Sequence, residues 1–359
     1  MARIDLDLAH SYQAVVRSDD DYALLPLKIT FEDGGAYALL GPSGCGKTTM
    51  LNIISGLVAA SHGTVCFDGV DRTRATPQQR NIAQVFQFPV IYDTMTVGEN
   101  LAFPLRNRRV PAAQVKERVG RIAEMLDLSA VLDQRAANLA ADAKQKISLG
   151  RGLVRPDVSA VLFDEPLTVI DPHLKWELRR KLKQIHHELG LTLIYVTHDQ
   201  VEAMTFADQV LVMARGRVVQ QGTPAELFER PRHTFVGHFI GSPGMNLLPV
   251  ERHPDGSLWL SGQALSGGES LALPAGSLTL GIRPEYLRIV PRAQAGTVQA
   301  VVQRVRHIGT SQLVSARVGE LDLKAHIGPD APAPTPGGEI HLALLDAHTC
   351  FYQNEELIA

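Results

Sequence analysis

The sequence predicts a largely parallel α/β domain followed by a smaller all-β domain. Three observations carry that reading. Strand-like and helix-like segments alternate up to about residue 240. A glycine-rich run, Gly41-Pro-Ser-Gly-Cys-Gly-Lys47-Thr48-Thr49, joins an apolar strand to an amphipathic helix. From about Gly241 the alternation gives way to short strand-like runs broken by Gly, Pro and Asp. A chain of 359 residues, 45% hydrophobic and 20% charged, has room for about two domains with sizeable cores. The boundary is expected at 241/242.

The glycine-rich run sits between two regular elements. Ala36 to Leu40 reads as a short buried strand, and Thr48 to Leu57 as a helix with one apolar side. Between them, Gly41, Pro42, Ser43, Gly44, Cys45, Gly46, Lys47 and Thr48 fit the spacing G-x-x-x-x-G-K-[ST]. The glycines let the backbone turn tightly, so that successive N–H groups and the positive helix end converge on phosphate oxygens. Lys47 would reach the β- and γ-phosphates, and the Thr48 hydroxyl would ligate Mg²⁺. The competing reading, a plain glycine-rich turn, does not account for both flanks.

Further along, Val115, Val119, Ile122 and Leu126, and then Leu178, Leu182, Ile185 and Leu189, recur at helical spacing and read as core-facing stripes. Val161-Leu-Phe-Asp164-Glu165-Pro166 reads as an apolar strand ending in two carboxylates. Strand neighbours point to opposite faces, so the two acids are expected to act differently. Asp164 suits a hold on Mg²⁺, and Glu165 suits polarisation of an attacking water. Thr192-Leu-Ile-Tyr-Val-Thr-His198-Asp199 is a second apolar strand, ending in a histidine before a helix from Gln200 to Ala207. Most of the 13 histidines, including His186 and His187, read as structural or exposed. His198 differs because its strand end belongs at the carboxyl edge of the sheet, where an imidazole can contact a γ-phosphate. Gln87, in Val85-Phe-Gln-Phe88, is a neutral group able to touch Mg²⁺ or the attacking water.

After Gly241-Ser-Pro-Gly244 the runs Leu278 to Ile282, Thr297 to Val305, Leu313 to Val318 and Glu339 to Leu345 read as strands, with a Pro/Ala-rich turn at 329–338. Composition narrows the function classes. A net charge of −3 gives no electrostatic argument for a nucleic-acid partner. Cys45, Cys66 and Cys350 are too few and scattered for a disulfide framework or a zinc site. No apolar run approaches the ~18 residues needed to span a bilayer, and MARIDLDLAH lacks the apolar stretch of a signal peptide. The expected location is the cytoplasm.

With these residues in place, the sequence resembles the ATPase subunits of ABC transporters along essentially its whole length. The resemblance rests on Tyr12 before the first strand, the phosphate loop at 41–49, Gln87 as the Q-loop, Asp164 and Glu165 as Walker B, Asp171 in Thr168-Val-Ile-Asp171 as the D-loop, and His198 as the switch histidine. It implies a P-loop ATPase domain over 1–241 with a helical subdomain at about 88–156. ATP and Mg²⁺ are the implied cofactors, with Tyr12 stacked on adenine. The tail at 242–359, with Gly281-Ile-Arg-Pro-Glu285, looks like the oligonucleotide-binding-like accessory domain of importer ATPases for sugars, polyols and glycerol phosphate. Arg80-Asn-Ile-Ala-Gln-Val-Phe-Gln-Phe-Pro89, Tyr92-Asp-Thr-Met-Thr96 and the run from Lys144 to Val154 look closest to one of the two ATPases of bacterial glycerol importers. The implied partners are membrane permease subunits and, indirectly, an extracytoplasmic solute-binding protein, at the cytoplasmic face of the bacterial inner membrane. The stretch Gln87 to Leu105 would receive a permease helix, although Phe86, Phe88, Tyr92 and Phe103 read equally well as core.

One segment departs from the pattern. The family has Leu-Ser-Gly-Gly-Gln where this chain has Leu139, Ala140, Ala141, Asp142 and Ala143. Ala140 has no hydroxyl to donate, Ala141 adds a methyl where backbone should approach, and Asp142 places a carboxylate near a polyanion. The alternative is that Asp142 points into solvent and the helix end still works. The first reading predicts a heterodimer with a second ABC ATPase subunit of intact signature, and one productive site; the alternatives are a homodimer powering import of glycerol-3-phosphate or a sugar, and a mainly nucleotide-gated subunit that does not hydrolyse.

Overall fold

The structure is a computed structural model that describes every residue of the chain except Ser270. The chain divides into two compact units, Met1–Pro224 and Ala225–Ala359.

In the first unit, β1 (Ile4–His10) and β2 (Leu24–Phe31) precede β3 (Ala36–Leu40), which runs through the phosphate loop into helix α1 (Lys47–Ser55). β4 (His62–Phe67), β5 (Val70–Asp71), α2 (Pro77–Arg80) and β6 (Ile82–Val85) follow. Three helices come next, α3 (Val97–Arg106), α4 (Ala112–Met125) and α5 (Ala141–Leu153). The chain then returns to the sheet as β7 (Ala160–Asp164), α6 (Pro172–Leu189), β8 (Leu193–Thr197), α7 (Gln200–Phe206), β9 (Gln209–Ala214) and β10 (Arg217–Gly222). The central sheet has the order β10-β9-β3-β8-β7-β6, parallel except for β10. A separate antiparallel sheet, β2-β1-β4-β5, was not anticipated from sequence.

All five residues of β3 are buried, as is every residue of β8, which is why both read as unbroken apolar runs. β3 is flanked by β8 and β9 and β7 by β8 and β6, so the carboxyl ends of β3, β7 and β8 lie together along one edge. That edge is where open α/β sheets place ligands. The helical stripes are core-facing as expected: Val115, Val119, Ile122 and Leu126 are buried, as are Leu178, Leu182 and Ile185, whereas Leu189 is only partly covered.

The second unit contains α8 (Pro224–Glu229, from Ala225 onward) and α9 (Thr234–Phe239), then β11 (Asn246–Arg252), β12 (Leu258–Leu260), β13 (Gln263–Ala264), β14 (Gly276–Ile282), β15 (Arg288–Val290), β16 (Thr297–His307), β17 (Gln312–Val318), β18 (Leu321–Ile327), β19 (Glu339–Ala343), β20 (Cys350–Gln353) and β21 (Glu356–Leu357). Two antiparallel sheets, β13-β12-β11-β14-β20-β21 and β15-β19-β16-β17-β18, enclose one aliphatic core. Compactness thus divides the chain at Pro224/Ala225, ahead of the 241/242 boundary expected from the change in sequence pattern. Arg283 supplies the physical reason. It is 1% exposed, and its guanidinium donates to the carbonyls of Leu227, Phe228, Gly237 and Ile240, tying α8 and α9 to the β-rich unit.

Candidate nucleotide site

The phosphate loop joins β3 to α1 over residues 41–46. Gly46 is the N-cap of α1 with φ of 102°, and a Cβ there would meet the Ala23 carbonyl oxygen at 2.5 Å. Gly44 has φ of 79°, yet a Cβ there would meet nothing within 4 Å and would project into open space beside the loop. One glycine is demanded by packing and the other by backbone conformation alone. Lys47 is only 6% exposed, and its ammonium donates to the carbonyls of Gly41 at 2.8 Å and Pro42 at 2.9 Å. Among the described residues no carboxylate lies within ion-pair distance of it. A buried cation surrounded by neutral acceptors, at a glycine-lined helix N-terminus, is matched to a polyanion. Tyr12 is 66% exposed and its hydroxyl lies 3.2 Å from Thr49 Oγ1, which puts an available aromatic face beside the loop.

The Thr48 hydroxyl donates to Asp164 Oδ1 at 3.3 Å, so the hard oxygen ligands suited to Mg²⁺ are already adjacent. Burial, above all, pushes the Asp164 carboxyl above its usual range; the charge of Glu165 adds to this, while the Thr48 bond and Lys47 oppose it. A half-buried acid disfavoured as an anion is the kind of group a divalent cation relieves.

The two adjacent acids do point apart, but not by strand alternation. β7 ends at Asp164, and Glu165 takes left-handed backbone with φ of 47°. Its N–H is held by the Val196 carbonyl at 3.0 Å, which docks the turn against β8. Glu165 Oε2 lies 3.1 Å from His198 Nδ1 and accepts from Thr168 Oγ1 at 3.3 Å. Gln87 sits half-buried two residues beyond β6, next to β7. The structure therefore brings Tyr12, the 41–49 loop, Asp164, Glu165 and His198 to one sheet edge.

Sequence reasoning passed over the support behind His198. Glu202 is 4% exposed and its Oε2 accepts from Tyr195 OH at 3.1 Å and Thr197 Oγ1 at 2.8 Å, while Asp199 caps α7 through Val201 N and Glu202 N. This fixes the turn that carries His198. In sequence Glu202 reads as an ordinary charge on a helix face.

The signature segment forms the N-terminal end of α5. Ala140 is the N-cap of α5 and makes no side-chain cap bond; Ala140 and Ala141 are exposed, and Asp142 is half-buried in the first turn. Asp171 is exposed and caps α6 by accepting from His173 N at 2.9 Å. Phe86, Phe88 and Tyr92 are exposed and so are not core, whereas Phe103 is partly covered and packs on Tyr92 at 4.7 Å.

Comparison with known proteins agrees with this geometry. Residues 24–168 match the ABC transporter family and 280–351 the TOBE domain. The sn-glycerol-3-phosphate import ATP-binding protein UgpC of Escherichia coli (strain K12) is 37% identical over 352 residues, 96% of this chain and 97% of that protein. Its counterpart in Brucella abortus biovar 1 (strain 9-941) is 38% identical over 298 residues, covering 82% of each. The chain belongs to the ATP-binding subunits of ABC transporters. The solved cbiO1 of Clostridium perfringens, part of the ABC transporter complex cbiONQ, superposes with a TM-score of 0.57 at 26% identity, covering 64% of this chain and 90% of that one. As an ABC importer ATPase the chain uses ATP with Mg²⁺, and it acts with membrane permease subunits. No helix among the described residues is long and apolar enough to cross a membrane.

Proposed function

We propose that this chain hydrolyses ATP in an asymmetric pair with a second ABC ATPase subunit, driving uptake of a glycerol-class solute at the cytoplasmic face of the bacterial inner membrane. One observation carries the reading. A coherent hydrolytic set (Lys47, Thr48, Asp164, Glu165, His198) shares a chain with a helix N-terminus that presents Ala140, Ala141 and Asp142.

In this mechanism Tyr12 stacks on adenine, and the N–H groups of the 41–49 loop with Lys47 hold the phosphates. Thr48, Asp164 and Gln87 would hold Mg²⁺, which when bound neutralises charge on the β- and γ-phosphates. Glu165 orients and accepts a proton from the attacking water. His198 steadies the Glu165 carboxylate and faces the γ-phosphate. The partner ATPase supplies a Ser-Gly-Gly helix end, so catalysis is mostly positioning. In the reciprocal site, Asp142 sets a carboxylate against a polyanion and weakens closure. Exposed Phe86, Phe88 and Tyr92 form an apolar landing for a permease helix, which converts closure into alternating access. A solute-binding protein on the other side delivers the cargo.

The names of the relatives point to sn-glycerol-3-phosphate as the solute, whereas the runs 80–96 and 144–154 point to glycerol. Uptake of each labelled compound by vesicles carrying the assembled transporter separates the two. The pairing is tested by measuring phosphate release from the purified chain alone and from its co-expressed complex. Turnover confined to the complex is expected; brisk turnover by the lone chain overturns the asymmetric pair.

A further inference from the structure

Gln145 lies on α5, one turn below the degenerate signature, and is 0% exposed. Its amide nitrogen donates to the Pro166 carbonyl at 2.6 Å. Pro166 directly follows Glu165. The orientation of the amide is fixed by chemistry, since the Pro166 carbonyl can only accept. That leaves Gln145 Oε1 buried and without a partner among the described residues. Dry sites rarely keep a half-satisfied amide where an apolar residue would fit, so the donated bond is the feature that accounts for a glutamine here.

Pro166 O belongs to the turn that sets Glu165. At one end the Glu165 N–H is held by Val196; at the other Thr168 N returns to the Glu165 carbonyl at 3.2 Å. The Gln145 bond falls between these anchors, at a turn whose first residue has φ of 47°. α5 can serve as a rigid post. A Cβ at Gly152 would meet Val85 Cγ2 at 2.7 Å and one at Gly150 would meet Leu101 Cδ2 at 2.5 Å, so the helix seats closely on β6 and α3.

We infer that Gln145 is a positioning residue for Glu165, fixing the catalytic turn of this chain to the helix whose N-terminus faces the other composite site. The inference rests on the proposed role of Glu165. It also gives α5 work in catalysis that does not depend on its signature residues. A left-handed turn freed at Pro166 can swing the carboxylate away from His198, and misplacement by about 1 Å can cost about 100-fold in rate.

The test uses the assembled transporter and two variants, Gln145→Met, which keeps the volume without a donor, and Gln145→Leu, which is smaller and likewise cannot donate. In both, kcat for ATP should fall about 10- to 100-fold with KM and the affinity for a fluorescent ATP analogue within about twofold of wild type. Either variant showing wild-type kcat, or raised KM with kcat unchanged, overturns the positioning role. Should Gln145→Met fail to assemble, Gln145→Leu decides alone. Glu165→Gln sets the floor of the assay: turnover retained there removes the role of Glu165 itself, while a floor there with wild-type turnover in the Gln145 variants removes only the inference.

Discussion

The Nδ1 atom of His198 lies 3.1 Å from Oε2 of Glu165, and Thr168 donates to the same oxygen. One carboxylate oxygen is therefore held from two sides, and the group is oriented before any water arrives. The expected order of damage follows. Glu165→Gln should lower kcat by at least about 100-fold and trap a closed nucleotide-bound dimer, since it removes the proton acceptor but not the phosphate contacts. His198→Ala should cost about 10- to 100-fold, and Thr168→Val only a few-fold. Steady-state phosphate release checks the ranking; a Thr168→Val loss as deep as that of Glu165→Gln would show that Glu165 is not the acceptor.

Tyr12 exposes most of its ring while its hydroxyl rests on Thr49. Aromatic stacking on a base is worth about 1–3 kcal/mol, so Tyr12→Ala should weaken ATP binding by about 5- to 150-fold. Tyr12→Phe keeps the face and should stay within about threefold. Titration with a fluorescent adenine nucleotide distinguishes them, and equal losses would mean the hydroxyl, not the ring, is the contact.

The two left-handed glycines of the loop should separate under substitution by alanine. Gly46→Ala forces a methyl against the Ala23 carbonyl at 2.5 Å, so it should destabilise the first unit by several kcal/mol and lower the yield of folded protein. Gly44→Ala meets no neighbour and should cost only about 1–2 kcal/mol, the left-handed penalty. Its methyl still projects beside the phosphate loop and should impair nucleotide binding. Thermal unfolding in parallel with binding tests the contrast, which fails if both variants melt alike.

The same local character explains what could be read from sequence. The phosphate loop, the apolar strands at 36–40 and 193–197, and the acids at 164 and 165 are encoded by adjacent residues with fixed spacing. Strand Ala36–Leu40 appears with its expected ends, and the helix after it stops at Ser55 because Gly56 turns left-handed at φ of 83°. Glu202 and Gln145 were not legible, because their meaning lies in partners set beside them by the folded backbone: Tyr195, on the strand that leads into α7, for one, and Pro166, in the turn after β7, for the other. The division at Pro224 was hidden for the same reason, since it depends on Arg283 reaching back to carbonyls in α8 and α9.

The burial of His186 predicts an acid-sensitive contact in the first unit. His186 is 3% exposed, its Nδ1–H donates to the Leu191 carbonyl at 2.8 Å, and burial lowers its pKa from the ordinary 6.5, with that bond and then Asp208 opposing. A base whose pKa is lowered on folding takes up a proton more readily when unfolded. Its neutral form therefore supports the fold above about pH 6.5, and that support is lost as the pH falls below it. His186→Asn keeps a donor near the Nδ1 position but cannot titrate. Its melting temperature should fall less steeply than wild type between about pH 6.5 and pH 5. Parallel slopes in the two proteins would assign acid sensitivity elsewhere, with His10, also lowered by burial, the next candidate.

The signature helix poses the sharpest question because its fold energetics and its chemistry pull in opposite directions. Asp142, in the first turn of α5, favours the helix dipole by about 0.3–1 kcal/mol, while Ala140 forgoes about 1 kcal/mol of N-cap stabilisation. Replacing Ala140 by Ser, Ala141 by Gly and Asp142 by Gly together should therefore leave helix stability changed by no more than about 2 kcal/mol, the restored cap offsetting part of the glycine cost. The chemical effect should be larger. A hydroxyl and open backbone replace a methyl and a carboxylate at the position facing a partner's γ-phosphate, so turnover by the lone chain should rise at least about tenfold. In the co-expressed complex the same triple variant should change the rate far less, because this face does not complete the productive site. Asp142→Gly alone should likewise be tolerated there. If the triple variant pairs with itself and still fails to hydrolyse ATP, residues 140–142 are not what limits the homodimer, and the asymmetric pair loses its physical basis.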